Sequence, residues 1–326
     1  MAQGRTHVTI KKQPDTGGRE CQTKAAWLVA AGKIMIALRR TWVALFAVPM
    51  LLAAVSQPAR SEQPQPVPAK PQQAACERSA FRVALDVGHT VTVPGAISAR
   101  GATEYSFNLR LGEATKQALV TAGFAQTDLL ITKQAPPLGL FERAAIANRM
   151  RADLFIALHH DSVPDSMLQS WEYEGRPLHF NDNYPGYALF VSYDNPDRAD
   201  SLMFGHLLGE ALQARGLSYT PHYTLPLMGH RRRELVDDAA GVYRYDQLVV
   251  LRATHMPAVL FEAGSIVNRS EELALASSQR VALESEAVTA AVEDFCTARA
   301  ARLAKHGPLR RPAARDRPAH SIRLAH

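Results

Sequence analysis

Between residues 81 and 300 the apolar positions switch repeatedly between short continuous runs and runs spaced three or four apart. FRVALDV, residues 81–87, is a short, partly β-branched run and predicts a buried strand. In the next segment, 105–123, Phe107, Leu111, Ala114, Ala118 and Leu119 recur at helical intervals, and Gly123 stops the run. The alternation continues with a strand predicted at 128–132, a helix over 139–150, and strands at 153–159 and 187–193. Asn195 as cap, with Pro196 in the first helical position, predicts a helix running to Gly216. A last strand at 258–264 and one long helix from about 270 to 300 complete the pattern. Such alternation predicts a three-layer α/β domain with a largely parallel sheet, in which ligands bind beyond the carboxyl ends of the strands.

The flanks read differently. From Met35, two arginines precede an apolar run, Trp42 to Val55, followed by small residues, the order of a secretory signal with cleavage near Ser56. The run is about 14 residues, short of the roughly 20 that span a bilayer, although a second apolar piece at 25–38 leaves an uncleaved anchor as the alternative. Residues 57–75 hold five prolines and no apolar period, the composition of an extended linker. The stretch 303–326 is rich in Arg and Pro and reads as a solvated basic tail. A net charge of +6 would suit an anionic partner, but the excess sits at the two ends, which argues against nucleic acid. Of three cysteines, Cys21 falls in the leader while Cys76 and Cys296 bracket the patterned segment; a bridge tying its ends competes with two buried thiols.

The unusual polar residues cluster at predicted strand ends. His89 follows the first strand, His159 ends the third, Glu262 ends the last, and Glu104 precedes the first helix. Two imidazoles and a carboxylate around one open position are the ligand set of a catalytic zinc, and a further carboxylate is what such a site needs as proton carrier. Each also has a plainer reading as a water-satisfied loop residue.

The order VALDVGHT, GATEYSFNLRLGEATKQAL, LFERAAIANRMRADLFIALHHDS, MPAVLFEAGSIVNRSEE resembles the zinc-dependent N-acetylmuramoyl-L-alanine amidases of bacterial cell walls, over about residues 80–297. The resemblance implies a fold of about six strands, related to zinc exopeptidases. It implies His89, Glu104 and His159 as zinc ligands and Glu262 as the catalytic carboxylate. His160 is set aside, because neighbours on a strand point to opposite faces. Asp86 and Asn108 are expected either to orient ligands or to serve a turn and the core edge. Arg143 and Asn148 match family positions and are expected to tie a helix to the sheet. The chain departs from the family in having Thr90 where a glycine is common and His160 where a small residue is common. Segment 162–186 reads as a lid or a substrate loop, and Arg231 to Arg233 as a solvated run or a contact for substrate carboxylates.

The expected organisation is an N-terminal extension with signal or anchor at 1–56, a linker at 57–78, a catalytic domain at 79–300 and a tail at 301–326. The expected enzyme is a periplasmic or secreted monomer that takes peptidoglycan as substrate, with an activator protein as a further partner. A zinc peptidase acting on wall peptides and a non-catalytic wall-binding module are the alternatives.

Overall fold

The computed structural model describes residues 76–306, so the expected leader, nearly all of the linker and the tail beyond 306 lie outside the described residues. Elements follow in the order β1 (Val83–Val87), α1 (Glu104–Thr121), β2 (Thr127–Leu130), α2 (Leu138–Met150) and β3 (Leu154–Asp161). Then come β4 (Gln169–Tyr173), β5 (Arg176–Phe180), β6 (Ala188–Val191), α3 (Arg198–Gln213), β7 (Glu234–Asp237) and β8 (Val242–Arg244). The chain closes with α4 (Val249–Arg252), β9 (Ala258–Ser265), α5 (Arg269–Leu275) and α6 (Ser278–His306). Among the described residues, no helix is long and apolar enough to cross a membrane.

Seven strands form one sheet in the order β2-β1-β3-β9-β6-β8-β7, and β4 and β5 form a separate hairpin. The pairs β1–β2, β1–β3, β3–β9 and β6–β8 are parallel, while β6–β9 and β7–β8 run antiparallel. The sheet is therefore mixed but largely parallel, with one strand more than the resemblance implies. Strands β7 and β8, which the apolar pattern does not predict, have 4 and 3 residues, too few to show a period.

Alternation along the strands divides the core. Val83, Leu85, Leu154, Ile156, Leu158, Val259 and Phe261 face one layer, packing with Leu111 and Leu119 of α1, Phe204 of α3 and Phe295 of α6. Ala84, Phe155, Ala157, Ala258 and Leu260 face the other, with Ala147 of α2 and Val250 of α4. Burying both faces of the central strands is what makes their sequences nearly continuously apolar.

Two expected elements differ. The third helix begins at Arg198 rather than beside Pro196; Asn195 still caps the turn, its Oδ1 accepting from Asp197 N (2.7 Å), while its amide donates inward to Leu251 O (2.7 Å) and Met256 O (3.1 Å). The last helix is two: Ser277 interrupts it and caps the second, its hydroxyl accepting from Arg280 N at 3.1 Å. Cys76 and Cys296 form a disulfide with Cα atoms 5.3 Å apart, closing a loop of 220 residues and fastening the domain's first turn to α6.

Candidate active site

The site lies at the carboxyl rim of β1, β3 and β9. His89 follows β1 through Gly88 and adopts φ 67°, a left-handed conformation costly for a residue with a side chain. Arg143 of α2 holds this turn: buried itself, it pairs with buried Asp86 at 2.6 Å and donates to the carbonyls of Val87 and His89. One guanidinium thus fixes the strand end and the strained residue together. Asn148, a turn further along α2, donates to Ala253 O (2.9 Å) and accepts from His255 N (2.7 Å), tying the helix to the loop before β9.

Glu104 opens α1, behind Thr103, whose hydroxyl accepts from Ser106 N. A carboxylate in a helix's first turn faces unsatisfied N–H groups and the positive end of the dipole. Its Oε2 lies 2.9 Å from His89 Nε2, and its Oε1 lies 2.9 Å from His159 Nδ1. The three donor atoms are all within 4.8 Å of one another. Burial opposes ionisation of Glu104, but hydrogen bonds from His159 and His89 outweigh it and hold the carboxyl well below the usual range. Asn108, one turn on, donates to Glu104 Oε1 (3.3 Å) and Gly88 O (3.2 Å), so it orients the carboxylate rather than merely edging the core.

Two glycines leave room for this cluster. A Cβ on Gly88 would come within 2.4 Å of His159 Nε2, and one on Gly95, where φ is 79°, within 2.4 Å of Glu104 Oε2 and 2.7 Å of the His89 ring.

His159 and Glu262 are register partners on adjacent parallel strands, so both project from the same face. Glu262 is half-buried, and its Oε2 is buried with no hydrogen-bond partner among the described residues. Burial, reinforced by the nearby charges of Asp161 and Glu104, pushes its carboxyl well up. Beside it lies a polar group with no motif signal. Asp161 accepts from Tyr223 Oη and Ser162 N at 2.7 Å each, and Arg231 Nη2 lies 4.0 Å away.

His160 turns to the opposite face. Its Nδ1 lies 2.7 Å from Asn108 Oδ1 and its ring 5.4 Å from that of Phe107. Buried there, the imidazole is pushed down to about 3. The unfolded chain therefore takes up a proton near pH 6.5 that the folded chain refuses until about pH 3. Stability present above pH 6.5 drains as pH falls through that window, by at most about 1.4 kcal/mol per unit. His160→Asn should flatten the fall relative to wild type, measured by urea denaturation of both proteins in chelator at pH 7 and 4.5; parallel curves would refute it.

The hairpin β4–β5 does not line the cleft at the histidines, whose walls are His89, His159, Asp86, Arg143, Leu248 and Leu260 among others. It docks outside, with Trp171 Nε1 donating to Ala99 O at 2.9 Å and the Arg269 guanidinium 3.7 Å from the Phe180 ring. Among the described residues, segment 162–186 contributes no wall to this cleft.

A family model described as N-acetylmuramoyl-L-alanine amidase matches residues 83–294. The chain belongs to that family. Among solved structures, the fold resembles the N-acetylmuramyl-L-alanine amidase Ami1 of Mycobacterium smegmatis, with TM-score 0.52 and 17% identity, covering 70% of this chain and 100% of the other. The apo form of Ami1 from Mycobacterium abscessus matches at TM-score 0.51 and 19% identity, over 67% of this chain and 99% of that one. No curated protein matches the chain.

The amidase thus acts on peptidoglycan, hydrolysing the amide between N-acetylmuramic acid and the L-alanine of the stem peptide. Of the four candidate residues, Glu104 bridges His89 and His159, and Glu262 stands beside His159 in the sheet. Asp161 and Tyr223 complete the surroundings of Glu262 and escaped sequence reading, while Arg231, expected as part of a solvated run or a contact for substrate carboxylates, lies 4.0 Å from Asp161. For Asp161 the signal was available, since it lies two residues from His159 and therefore on the same face.

Proposed function

We propose that this amidase is a zinc enzyme in which His89, Glu104 and His159 hold the ion and Glu262 moves the proton. The donor set supports it: two imidazole nitrogens and one carboxylate oxygen, gathered within 4.8 Å, suit a tetrahedral ion with one position left open. The glycine cradle supports it too, since Gly88 and Gly95 leave no side chain between the donors. Zinc, when bound there, acidifies a water and polarises the scissile carbonyl.

The chain's own residues supply the rest. Glu262 takes a proton from the attacking water and delivers it to the departing alanine nitrogen. A C–O bond forms at the lactyl carbonyl as the C–N bond breaks, leaving a carboxylate on the glycan and a free amine on the peptide. A carboxyl with raised proton affinity is suited to both transfers, because it binds the proton firmly enough to carry it between them. Asn108 and Arg143 hold the ligands in place, the first by orienting Glu104 and the second by fixing the turn that carries His89.

We further place the enzyme in an oxidising compartment, periplasmic or outside the cell, whether released from its leader or held by it. The Cys76–Cys296 bridge supports that location, as does the signal-like order of residues 35–56. The substrate is there as well. An activator protein would then act on the accessible cleft by some means other than lifting the β4–β5 hairpin.

Mass spectrometry of sacculi digested by the zinc-loaded protein tests the reading. The expected products are peptides beginning with L-alanine and muramic acid lacking its peptide, both absent when the metal is chelated. Peptides shortened from the other end would mark a peptidase instead.

A further inference from the structure

Glu262 also lines a second cavity of about 120 Å³, with Phe190, Tyr223, Arg231, Arg233 and Tyr245. Leu248 and Leu260 border both this cavity and the cleft at His89 and His159, so the two are lobes either side of a shared apolar wall. Their charge differs. In the histidine lobe the guanidinium of Arg143 is consumed by Asp86 and two carbonyls. In the second lobe, no carboxylate among the described residues pairs with Arg233.

Arg233 is nonetheless held in place. Its backbone N–H donates to Tyr223 O at 2.8 Å, and its guanidinium lies 3.5 Å from the Tyr245 ring centroid, where cation and π-face attract. Nη1 donates to the carbonyls of His230 and Arg232, 2.8 Å each. Nε is buried with no partner among the described residues. The edge formed by Nε and Nη2 therefore makes no hydrogen bond among the described residues, and the two parallel N–H groups of such an edge match the two oxygens of a carboxylate once the side chain turns to uncover Nε. Arg231, donating to Ser162 O at 2.9 Å, adds a second positive charge on the same wall.

Resting on the amidase reading above, we propose that this lobe is the stem-peptide subsite and that Arg233 binds a free carboxylate of the peptide through that edge. The chemistry of the substrate gives the direction. The lactyl carboxyl is consumed in the scissile amide, so the glycan side carries no carboxylate at the cut. On the peptide side the second residue is a glutamate joined through its γ-carboxyl, which leaves its α-carboxylate free next to the released alanine. Glycan then extends over the histidine lobe and peptide over the arginine lobe, with the scissile bond between His159 and Glu262.

The test uses the zinc-loaded full chain and a matched pair of soluble disaccharide-peptide fragments, one with the free α-carboxylate and one with the carboxamide at that position. The expected result is that wild type prefers the acid by about tenfold in kcat/KM, the difference lying in KM. Arg233→Gln brings the ratio near one, and Arg233→Lys, which keeps charge but loses the fork, falls between. A wild-type ratio near one overturns the subsite, and so does an undiminished preference in Arg233→Gln. Should that variant not fold, the wild-type ratio decides alone. Hydrolysis of neither fragment by the zinc-loaded wild type would instead overturn the amidase assignment itself.

Discussion

Replacing Glu262 by Gln should leave zinc bound in full and lower kcat by about 10²-fold to 10⁴-fold, the range that a positioned acid–base group supplies. Gln keeps the shape and polarity of the side chain but cannot take up a proton, so the loss isolates proton transfer from ligand geometry. A second consequence runs the opposite way. The folded-state carboxyl of Glu262 is raised by burial and by Asp161, so its ionised form costs stability above the ordinary carboxylate range, increasingly as pH rises. Below that range both folded and unfolded chains carry the proton and the cost vanishes. Glu262→Gln should therefore be at least as stable as wild type at pH 8, with the difference shrinking towards pH 4. Zinc content, initial rates and denaturation midpoints at the two pH values check all three statements; near-normal turnover in the variant would remove Glu262 from the chemistry. The unpartnered Oε2 fits such a residue, kept in an unfavourable place because the reaction needs it there.

How much of this was legible in the sequence depends on period. The central strands show it most clearly: in β3, Leu154, Ile156 and Leu158 face one layer and Phe155 and Ala157 the other, and continuing the count puts His159 on the second face and His160 on the first. The same count in β9 puts Glu262 with Ala258 and Leu260, beside His159. Parity alone thus separates the two adjacent histidines, before any motif is considered. What parity cannot give is the approach of distant elements. Glu104 reaches both histidines because α1 starts where the loop from β1 returns, and only the family pattern foretold that meeting.

Other features had no local signal. The β4–β5 hairpin hides in a turn-rich stretch whose aromatic residues face Arg100 and Arg269 from other parts of the chain. Asn195 carries a capping signature with Pro196 and its Oδ1 does accept from Asp197 N, but the inward donation of its amide to Leu251 O and Met256 O had no local signal, and the regular helix starts only at Arg198. Arg231 and Arg233 look like a solvated charge run because charge is visible in sequence and confinement is not. In the fold they line a cavity with Glu262, and Arg232 between them points to solvent.

His159→Ala should lose both zinc and hydrolysis, the largest effect expected of any single substitution here. An orienting residue behind a ligand typically affects metal affinity by about 10-fold to 100-fold, and removing a ligand itself should exceed that. The clearest readout is stability rather than rate. An ion that binds only the folded chain stabilises it by about 2.7 kcal/mol at a hundred times its dissociation constant. Wild type should show that shift in melting temperature on adding zinc, and His159→Ala should show none at the same concentration. His160→Asn is the control, because its side chain faces Phe107 and Asn108 on the other side of β3 and should keep the shift, weakened only as far as Asn108 loosens its hold on Glu104. The reverse pattern, zinc stabilisation surviving at His159→Ala but lost at His160→Asn, would mean that the ion sits on the α1 face of the sheet. Glu262 would then have no ion beside it to work with.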